Sequence, residues 1–309
     1  MTGTLVDIGP CRLHLNQQGA GRPAVILESG IAASSLSWSY VQPRVAEFTR
    51  VCSYDRAGLG WSSACRAPRT GEQFVFELRT LLNKARVPPP YILVGHSFGG
   101  LLVRAYAHFY PDEVAGIVMV DPVSLLNWAN CSASEMRRLD HGIRLSRRGA
   151  LLARFGVVRF ALWLVAMGGR RLPQLIARAS AGKGTSAIDR LMGEVRKLPP
   201  EVWPFLRAHW SRPKCFEAMA AHLEFLPANA RAALQMQIRE DIPITILSAN
   251  SAKADEVAER EAWTRQSRHG RHTQLPDCGH WLHLEIPDVV ASAIQDLVNF
   301  ARTHSAPIQ

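Results

Sequence analysis

A serine flanked by glycines is the feature of this sequence best suited to chemistry. Residues 91–100 read Tyr-Ile-Leu-Val-Gly-His-Ser-Phe-Gly-Gly, and an amphipathic run follows. This order predicts a strand, a sharp turn and a helix, with Ser97 on a strained backbone that lifts its hydroxyl clear of the sheet. Gly95 and Gly99 fit positions where a Cβ atom would clash as strand and helix close on each other. We therefore predict that Ser97 is a nucleophile.

A serine at such a turn needs two further chemical elements. The first N–H groups of the helix behind Ser97 have no intrahelical acceptor, so they can face a developing negative charge. A serine hydroxyl is a weak nucleophile at neutral pH and requires an adjacent base. Other parts of the chain must therefore bring a base to Ser97.

Alternating strand and helix patterns indicate the elements that would do so. Apolar runs predict strands, and 3.6-residue periodicity predicts helices. The strands are predicted at 5–8, 12–16, 24–28, 50–54, 91–94, 115–120, 244–247 and 273–275, and the helices at 38–47, 72–86, 253–268 and 287–301, with a further helix that begins at 101. The fold class is therefore α/β, with a mostly parallel central sheet and helices on both faces. Ligands bind beyond the carboxyl ends of such strands, where Ser97, Asp121 and His280 all fall.

One long segment interrupts the alternation. Residues 124–240 show helical periodicity only, which predicts an inserted helical cap between core segments 1–123 and 241–309. The segment holds 19 Lys and Arg against 8 Asp and Glu, so it accounts for the whole net charge of +10, and the rest of the chain is close to neutral. A basic surface attracts anions. No nucleic-acid motif accompanies it, so we expect a solvated surface and no nucleic-acid partner.

The most apolar part of the predicted cap spans residues 150–167. Arg154 and Arg159 interrupt it, and an arginine at mid-bilayer costs about 2.5–3.5 kcal/mol, which disfavours a spanning helix. Two alternatives remain: a cap helix that lines a substrate pocket, or a segment that contacts a membrane surface.

Composition narrows the remaining classes. A chain of 309 residues suits one large α/β domain with an insertion. The six cysteines form no C-x-x-C pair, so we expect free thiols and neither a metal nor another cofactor. The first eight residues lack the basic start and apolar run of a signal peptide, from which we predict a cytoplasmic protein.

Taken together, the motifs resemble the α/β-hydrolase superfamily in its cap-bearing branch. The resemblance covers about residues 1–125 and 240–303 and leaves the predicted cap without a motif. Its five pieces are 27–31 (Leu-Glu-Ser-Gly-Ile), 55–62 (Asp-Arg-Ala-Gly-Leu-Gly-Trp-Ser), 95–99 (Gly-His-Ser-Phe-Gly), 120–122 (Val-Asp-Pro) and 278–280 (Cys-Gly-His). They are specific for the fold and far less specific for the substrate.

The resemblance implies a base and an acid for Ser97. His280 stands where the family places its histidine, and His283 is the alternative. The family usually places the acid just after the strand at 244–247, but there the first carboxylate is Asp255, which comes late. Some members place it one strand earlier, where Asp121 stands, so we favour Asp121 and keep Asp255 as the alternative. We expect His96 to be structural.

The resemblance also implies an oxyanion hole and an activity. Its N–H donors would be the backbone of Phe98 and of Ile31. The acidic–basic pair Asp55 and Arg56 would lock the neighbouring loop by a salt bridge.

The activity implied is that of a serine hydrolase, which cleaves a small-molecule ester, apolar or anionic, through an acyl-enzyme. The sharp turn that carries Ser97 is the nucleophile elbow of this superfamily. A serine there argues against the epoxide-hydrolase and dehalogenase members, which use an aspartate at the elbow. A lyase or a carbon–carbon hydrolase with the same triad, and a ligand-binding protein with little turnover, stay open as alternatives.

Overall fold

Eight strands form one sheet that runs through the molecule. The computed structural model describes residues 2–166 and 197–304. The strands are β1 (Thr4–Asp7), β2 (Arg12–Gln18), β3 (Ala24–Glu28), β4 (Val51–Asp55), β5 (Tyr91–His96), β6 (Val114–Val120), β7 (Ile244–Ala249) and β8 (Arg271–Leu275). Their order is β1-β2-β4-β3-β5-β6-β7-β8. The pairings β1–β2 and β2–β4 are antiparallel, and all others are parallel.

Within residues 2–166 and 197–304, helices follow the strands along the chain. They are α1 (Val41–Ala46), α2 (Gly71–Lys84), α3 (Phe98–Phe109), α4 (Leu125–Ala129), α5 (Ala133–Arg154), α6 (Val157–Ala166), α7 (Trp203–Trp210), α8 (Pro213–Leu234), α9 (Ala254–Thr264), α10 (Leu282–Glu285) and α11 (Pro287–His304). In the part of the chain that the structure describes, single 3₁₀ turns lie at Ser35–Trp38, Pro111–Glu113 and Pro200–Val202.

The central strands are buried on both faces, as a parallel sheet requires. All residues of β3, β4 and β5 are buried. Apolar side chains of α2 and α3 form the core on one face, together with alternate residues of the strands. Side chains of α1 and α11 form a second core on the other face. The predicted fold class, a mostly parallel sheet with helices on both faces, is confirmed.

Helices α4 to α8 lie between β6 and β7 in the chain. A capping box starts α5, where Ser132 and Glu135 satisfy each other's backbone N–H groups. Helices α5 and α8 pack together, and ion pairs of 3.0 Å join Arg147 to Glu224 and Arg154 to Glu217. The limits 124 and 240 that we assign to the cap remain predictions.

Helix α8 contacts the loop that follows β4 directly. Lys214 of α8 donates to the Gly60 carbonyl at 2.9 Å and to the Ser62 carbonyl. A Cβ atom on Gly58, whose φ is +85°, would lie 2.7 Å from Ala218. Helix α8 therefore rests on the loop that follows β4.

Two predicted helices differ from those observed. The helix expected at 38–47 is a 3₁₀ turn followed by the shorter α1. Pro43 explains this, because proline lacks an N–H and fits only the first turn of a helix. The apolar stretch at 150–167 is divided into α5 and α6 by Gly156, whose φ of +76° ends the first helix. Residue 167 lies outside the described residues.

The side chains at this junction are largely exposed. Leu151, Phe155, Phe160 and Trp163 have exposed fractions of 53%, 76%, 52% and 54%. Among the helices that the structure describes, none has both the length and the apolar character that crossing a bilayer would need.

Candidate active site

Ser97 lies at the sharp turn between β5 and α3. Its backbone has φ 54° and ψ −118°, a conformation that costs a non-glycine residue about 1–3 kcal/mol. The surrounding backbone fixes this conformation. The Ser97 N–H donates to the Val120 carbonyl at 3.0 Å, and the Ser97 carbonyl accepts from the Gly100 N–H at 3.0 Å.

The two glycines of the motif allow this turn to be tight. A Cβ atom on Gly95 would lie 2.4 Å from the Gly99 carbonyl oxygen, and one on Gly99 would lie 2.4 Å from the Glu28 carbonyl oxygen. Contacts this short cannot form without moving the backbone. Both positions therefore require glycine because strand, turn and helix approach one another closely, as the sequence predicts.

His280 lies in the loop between β8 and α10, with Asp121 beside it. Its Nδ1 atom lies 2.5 Å from Oδ2 of Asp121, which directly follows β6. Since a carboxylate only accepts, Nδ1 must donate, and the Nε2 atom of a neutral ring is then free to accept a proton. The imidazole is 45% exposed, so a substrate can reach it.

The second oxygen of Asp121 faces away from His280. Oδ1 accepts from the Ala249 N–H at 3.0 Å and from Arg260 at 2.9 Å. Burial alone would raise the pKa of Asp121, but the hydrogen bond from His280 and the charge of Arg260 hold it below its usual value. Asp121 is therefore an anion at neutral pH.

The structure places the other carboxylate candidate elsewhere. Asp255 lies in the first turn of α9, where it is exposed and accepts from the Asn127 amide at 3.3 Å. This hydrogen bond lowers the pKa of Asp255. The structure thus brings Asp121, and not Asp255, to His280.

Two further histidines surround His280, and neither is placed as a base. His283 is fully buried, which lowers its pKa to about 3, and within the described residues its ring nitrogens have no hydrogen-bond partner. His96 donates from Nε2 to the His280 carbonyl at 2.9 Å. Burial and the neighbouring histidines hold the pKa of His96 well below its usual value. His96, which directly precedes Ser97, therefore links the turn that carries the serine to the backbone of His280.

The loop after β3 lies against Ser97. A Cβ atom on Gly30 would lie 3.5 Å from the Ser97 Cβ atom and 3.0 Å from Nδ1 of His96. Ile31 follows Gly30, and Phe98 is the first residue of α3, whose N-terminal N–H groups have no intrahelical acceptor. The two predicted oxyanion residues therefore belong to segments that adjoin the serine.

Arg56 holds this loop, although not by the pairing that the sequence led us to expect. It donates to the Ser29 carbonyl at 2.6 Å and to the Gly30 carbonyl at 2.5 Å, and it pairs with Glu28 rather than with Asp55. The physical reason is direction, because successive residues at a strand end point to opposite faces.

Asp55 points the other way, where its Oδ2 lies 3.0 Å from Nδ1 of His14, and it accepts hydrogen bonds from two backbone N–H groups. The donors are Ser35 at 2.7 Å and Trp61 at 2.9 Å. Asp55 thereby fixes the glycine-rich loop that follows β4.

Glu285 fixes the loop that carries His280. It accepts from the Gly279 N–H at 2.6 Å and pairs with Lys197 at 2.5 Å. These two bonds outweigh the effect of burial, which raises the pKa of Glu285, so the net pKa is lowered. The residue preceding His280 is therefore linked to the segment that leads into α7.

The described residues give no sign of a metal centre. Within residues 2–166 and 197–304, no three His, Cys, Asp or Glu side chains are grouped so that they could hold an ion. The six cysteines, all within these ranges, are free thiols.

Comparison with known proteins identifies the family. The model of the alpha/beta hydrolase fold matches residues 23–287, which is most of the chain. The chain belongs to this family. Among curated proteins, the uncharacterized protein YqjL of Bacillus subtilis is 34% identical over 116 residues, covering 37% of this chain and 46% of YqjL. The chain matches less than half the length of the first curated relatives.

Solved structures of other alpha/beta hydrolases show the same fold over nearly the whole chain. A putative epoxide hydrolase from Pseudomonas aeruginosa has a TM-score of 0.74 at 19% identity, covering 97% of this chain and 96% of that one. A thermophilic esterase from Thermogutta terrifontis, with malate bound, has a TM-score of 0.66 at 20% identity, covering 97% and 99%. At such identities the likeness concerns the fold alone.

The sequence did not reveal every residue that supports this site of the alpha/beta hydrolase. Arg260 contacts Asp121 from a helix 139 positions later in the chain, and no local pattern marks it. Glu285 lies only six residues from Gly279. The sequence signal that could have identified Glu285 is the presence of a carboxylate shortly after the candidate base His280.

Proposed function

We propose that this protein is a serine hydrolase that cleaves carboxylic esters through Ser97, His280 and Asp121. The observation that carries the proposal is the 2.5 Å contact between Nδ1 of His280 and Oδ2 of Asp121. It lies at the carboxyl ends of the central strands, where the strained Ser97 also lies. The order serine, acid, histidine along the chain is that of the family.

The first half of the reaction would acylate the serine. Oγ of Ser97 attacks the ester carbonyl carbon while its proton passes to Nε2 of His280. The carbonyl electrons move onto oxygen, and the N–H groups of Phe98 and Ile31 stabilise the resulting oxyanion. The oxyanion then collapses and breaks the bond to the alkoxy group, which takes the proton from His280 and leaves as an alcohol.

The second half would release the acyl group. Water attacks the acyl carbon and gives its proton to His280, and the new oxyanion collapses to expel Ser97, which regains that proton. The products are a carboxylic acid and the free enzyme. Throughout, Asp121 keeps Nδ1 of His280 protonated and stabilises the imidazolium that forms.

The type of residue at the elbow separates this proposal from epoxide hydrolysis. The epoxide-hydrolase members of the superfamily use an aspartate at the elbow, whereas this chain has Ser97. A lyase or a carbon–carbon hydrolase would use the same triad and would differ in the substrate. A ligand-binding protein would keep the scaffold with little turnover. The exposed imidazole of His280 and its ionised partner favour a working enzyme.

An active-site label tests the proposal directly. We expect a fluorophosphonate to modify the protein once per chain, at Ser97, as measured by intact mass and peptide mapping. Ser97→Ala should abolish the label, and Ser134→Ala, which changes an exposed serine of α5, should leave it unchanged.

Product analysis then identifies the reaction class. Nitrophenyl esters should give equal amounts of acid and nitrophenol, and an aryl epoxide should give no diol. Absence of both labelling and ester turnover would contradict the proposal and favour the ligand-binding alternative. Diol formation would instead indicate an epoxide hydrolase.

We also propose that the junction of α5 and α6 contacts an anionic membrane surface. Four large apolar side chains are exposed there, and residues 141–166 contain five arginines and no acidic residue. Two of the five, Arg147 and Arg154, pair with glutamates of α8. Helices that lie in a membrane interface combine exposed aromatic and leucine side chains with basic residues in this way. An ester substrate dissolved in the membrane would then lie close to the cap.

Vesicle binding tests this contact. The protein should co-sediment with vesicles of equal parts phosphatidylcholine and phosphatidylglycerol, and much less with phosphatidylcholine alone. The double variant Phe155→Ser, Trp163→Ser should lose binding. The control Phe76→Ser, which changes a side chain 51% exposed on α2, should keep it. Equal binding by both variants, or none by the native protein, would contradict the contact.

A further inference from the structure

Arg260 is a buried cation that contacts the acid of the candidate triad. It lies on α9 and is 3% exposed. Nη1 donates to Oδ1 of Asp121 at 2.9 Å and to Oγ of Ser248 at 2.8 Å, and Nη2 donates to the Pro122 carbonyl at 2.7 Å. A buried arginine is costly unless paired, and here the anion it pairs with is the triad carboxylate.

The bonds of Arg260 divide the two oxygens of Asp121 between different partners. Oδ2 accepts from Nδ1 of His280, and Oδ1 accepts from Arg260 and from the Ala249 N–H. A carboxylate held at one oxygen only can rotate about its Cβ–Cγ bond. With two donors on Oδ1 from two different elements, that rotation is blocked, and Oδ2 stays directed at His280.

Arg260 is itself held in position from behind. Oγ of Ser248 accepts from Arg260 and is also hydrogen-bonded, at 2.7 Å, to Nε2 of His272 on β8. A continuous chain of hydrogen bonds therefore runs from β8 through β7 and α9 to Asp121 and His280. Arg260 is the one cation in that chain at any pH where histidine is neutral.

We propose that Arg260 is a positioning residue of the Ser97–His280–Asp121 triad, which fixes the Asp121 carboxylate from behind so that Oδ2 faces His280. This inference rests on the proposed function. Arg260 touches neither the substrate nor the reacting atoms, so it acts through Asp121.

The pH dependence of the reaction should reveal this role. The titratable groups that face the Asp121–Arg260 pair are His280 and Cys278 from the loop after β8, His272 from β8, His96 from β5 and Glu259 from α9. Burial keeps His96 and His272 uncharged by lowering the pKa of each. It keeps Cys278 protonated by raising the pKa of that thiol. Burial also raises the pKa of Glu259, whose Oε1 accepts the Leu125 and Leu126 N–H groups.

Asp121 is therefore the group on which the loss of Arg260 acts most directly. After the hydrogen bond from His280, the charge of Arg260 is the next largest influence that lowers the pKa of Asp121 against the effect of burial, so its loss should raise that pKa. The carboxylate must be ionised for turnover, so activity should then be lost at a higher pH as the solution is acidified.

The test compares Arg260→Met, Arg260→Lys and a control at the residue that directly follows the same helix. Arg260→Met should lower kcat for a nitrophenyl ester by about 10² with KM unchanged, since small misplacements of a catalytic group cost about this much. The acid limb of its kcat–pH profile should move to higher pH. Arg260→Lys, which keeps the charge but not the planar fork, should restore the acid limb and part of kcat. Arg265→Met, which changes this exposed arginine, should match the native enzyme.

Further measurements keep the inference open to refutation. If Arg260→Met does not fold, Ser248→Ala removes one bond to Arg260 and should shift both readouts the same way by a smaller factor. A folded Arg260→Met enzyme with native kcat and a native acid limb would overturn the role, even if its Tm were lower, because a structural arginine would affect Tm alone.

A spectroscopic readout separates this inference from the proposed function. The deshielded proton NMR signal of the His280 Nδ1–H should be present in the native protein and in Ser97→Ala, and absent in Asp121→Asn. Arg260→Met should broaden or shift it. If Arg260→Met changes this signal but the native protein cleaves no ester, the positioning role is supported and the hydrolase proposal is rejected. If Arg260→Met leaves the signal unchanged, the positioning role is rejected.

Discussion

Ser97→Ala should lower kcat for a nitrophenyl ester by about 10⁶, as removal of the serine does in other enzymes with this triad. The remaining rate would come from binding and from the N–H groups around the oxyanion. Steady-state kinetics with purified protein measures the loss. A variant that kept more than about one per cent of kcat would mean that another group is the nucleophile.

The strain at Ser97 supplies a second readout for this position. Its φ of 54° is costly for serine and alanine but not for glycine. Ser97→Gly should therefore be as inactive as Ser97→Ala, yet about 1 kcal/mol more stable toward urea unfolding. Equal stabilities of the two variants would indicate that the turn is not strained.

Asp121→Asn should lower kcat by about 10⁴, and the structure gives the reason. Arg260 and the Ala249 N–H both donate to the Oδ1 position, so an asparagine must place its amide oxygen there. Its NH₂ group then faces Nδ1 of His280. That nitrogen must become the acceptor, which moves the ring proton to Nε2 and removes the base, as in the corresponding protease variant. The pH profile of kcat measures the loss.

The control for this variant is Asp255→Asn. Asp255 is exposed and bonds to Asn127, so its replacement should change kcat by less than about twofold. A severe loss for Asp255→Asn together with a mild one for Asp121→Asn would reverse our assignment of the acid.

The sequence was most informative where local geometry fixes the residue type. The elbow around Ser97 could be predicted because Gly95 and Gly99 are required by close backbone contacts within a few positions of the serine. The alternating strands could be predicted for a similar reason, since strands buried on both faces are continuously apolar.

The acid could not be decided from the sequence. Asp121 and Asp255 both lie close to strand ends, and the sequence does not show which one meets the histidine. The strand order of the sheet selects Asp121. This residue follows β6, which lies between β5 and β7, whereas Asp255 lies on α9 and is exposed to solvent. Contacts such as Arg260 with Asp121 depend on packing between distant segments, which no local pattern encodes.

The adjacency of β6 and β7 across a long insertion has a consequence for how the protein is made. Asp121 is synthesised before residues 124–240, and His280 after them. In the mechanism proposed above, a nascent chain that already contains Ser97 and Asp121 lacks the base His280 until the ribosome has passed β8. Prematurely terminated copies would therefore have no hydrolase activity, because the proposed triad is completed last.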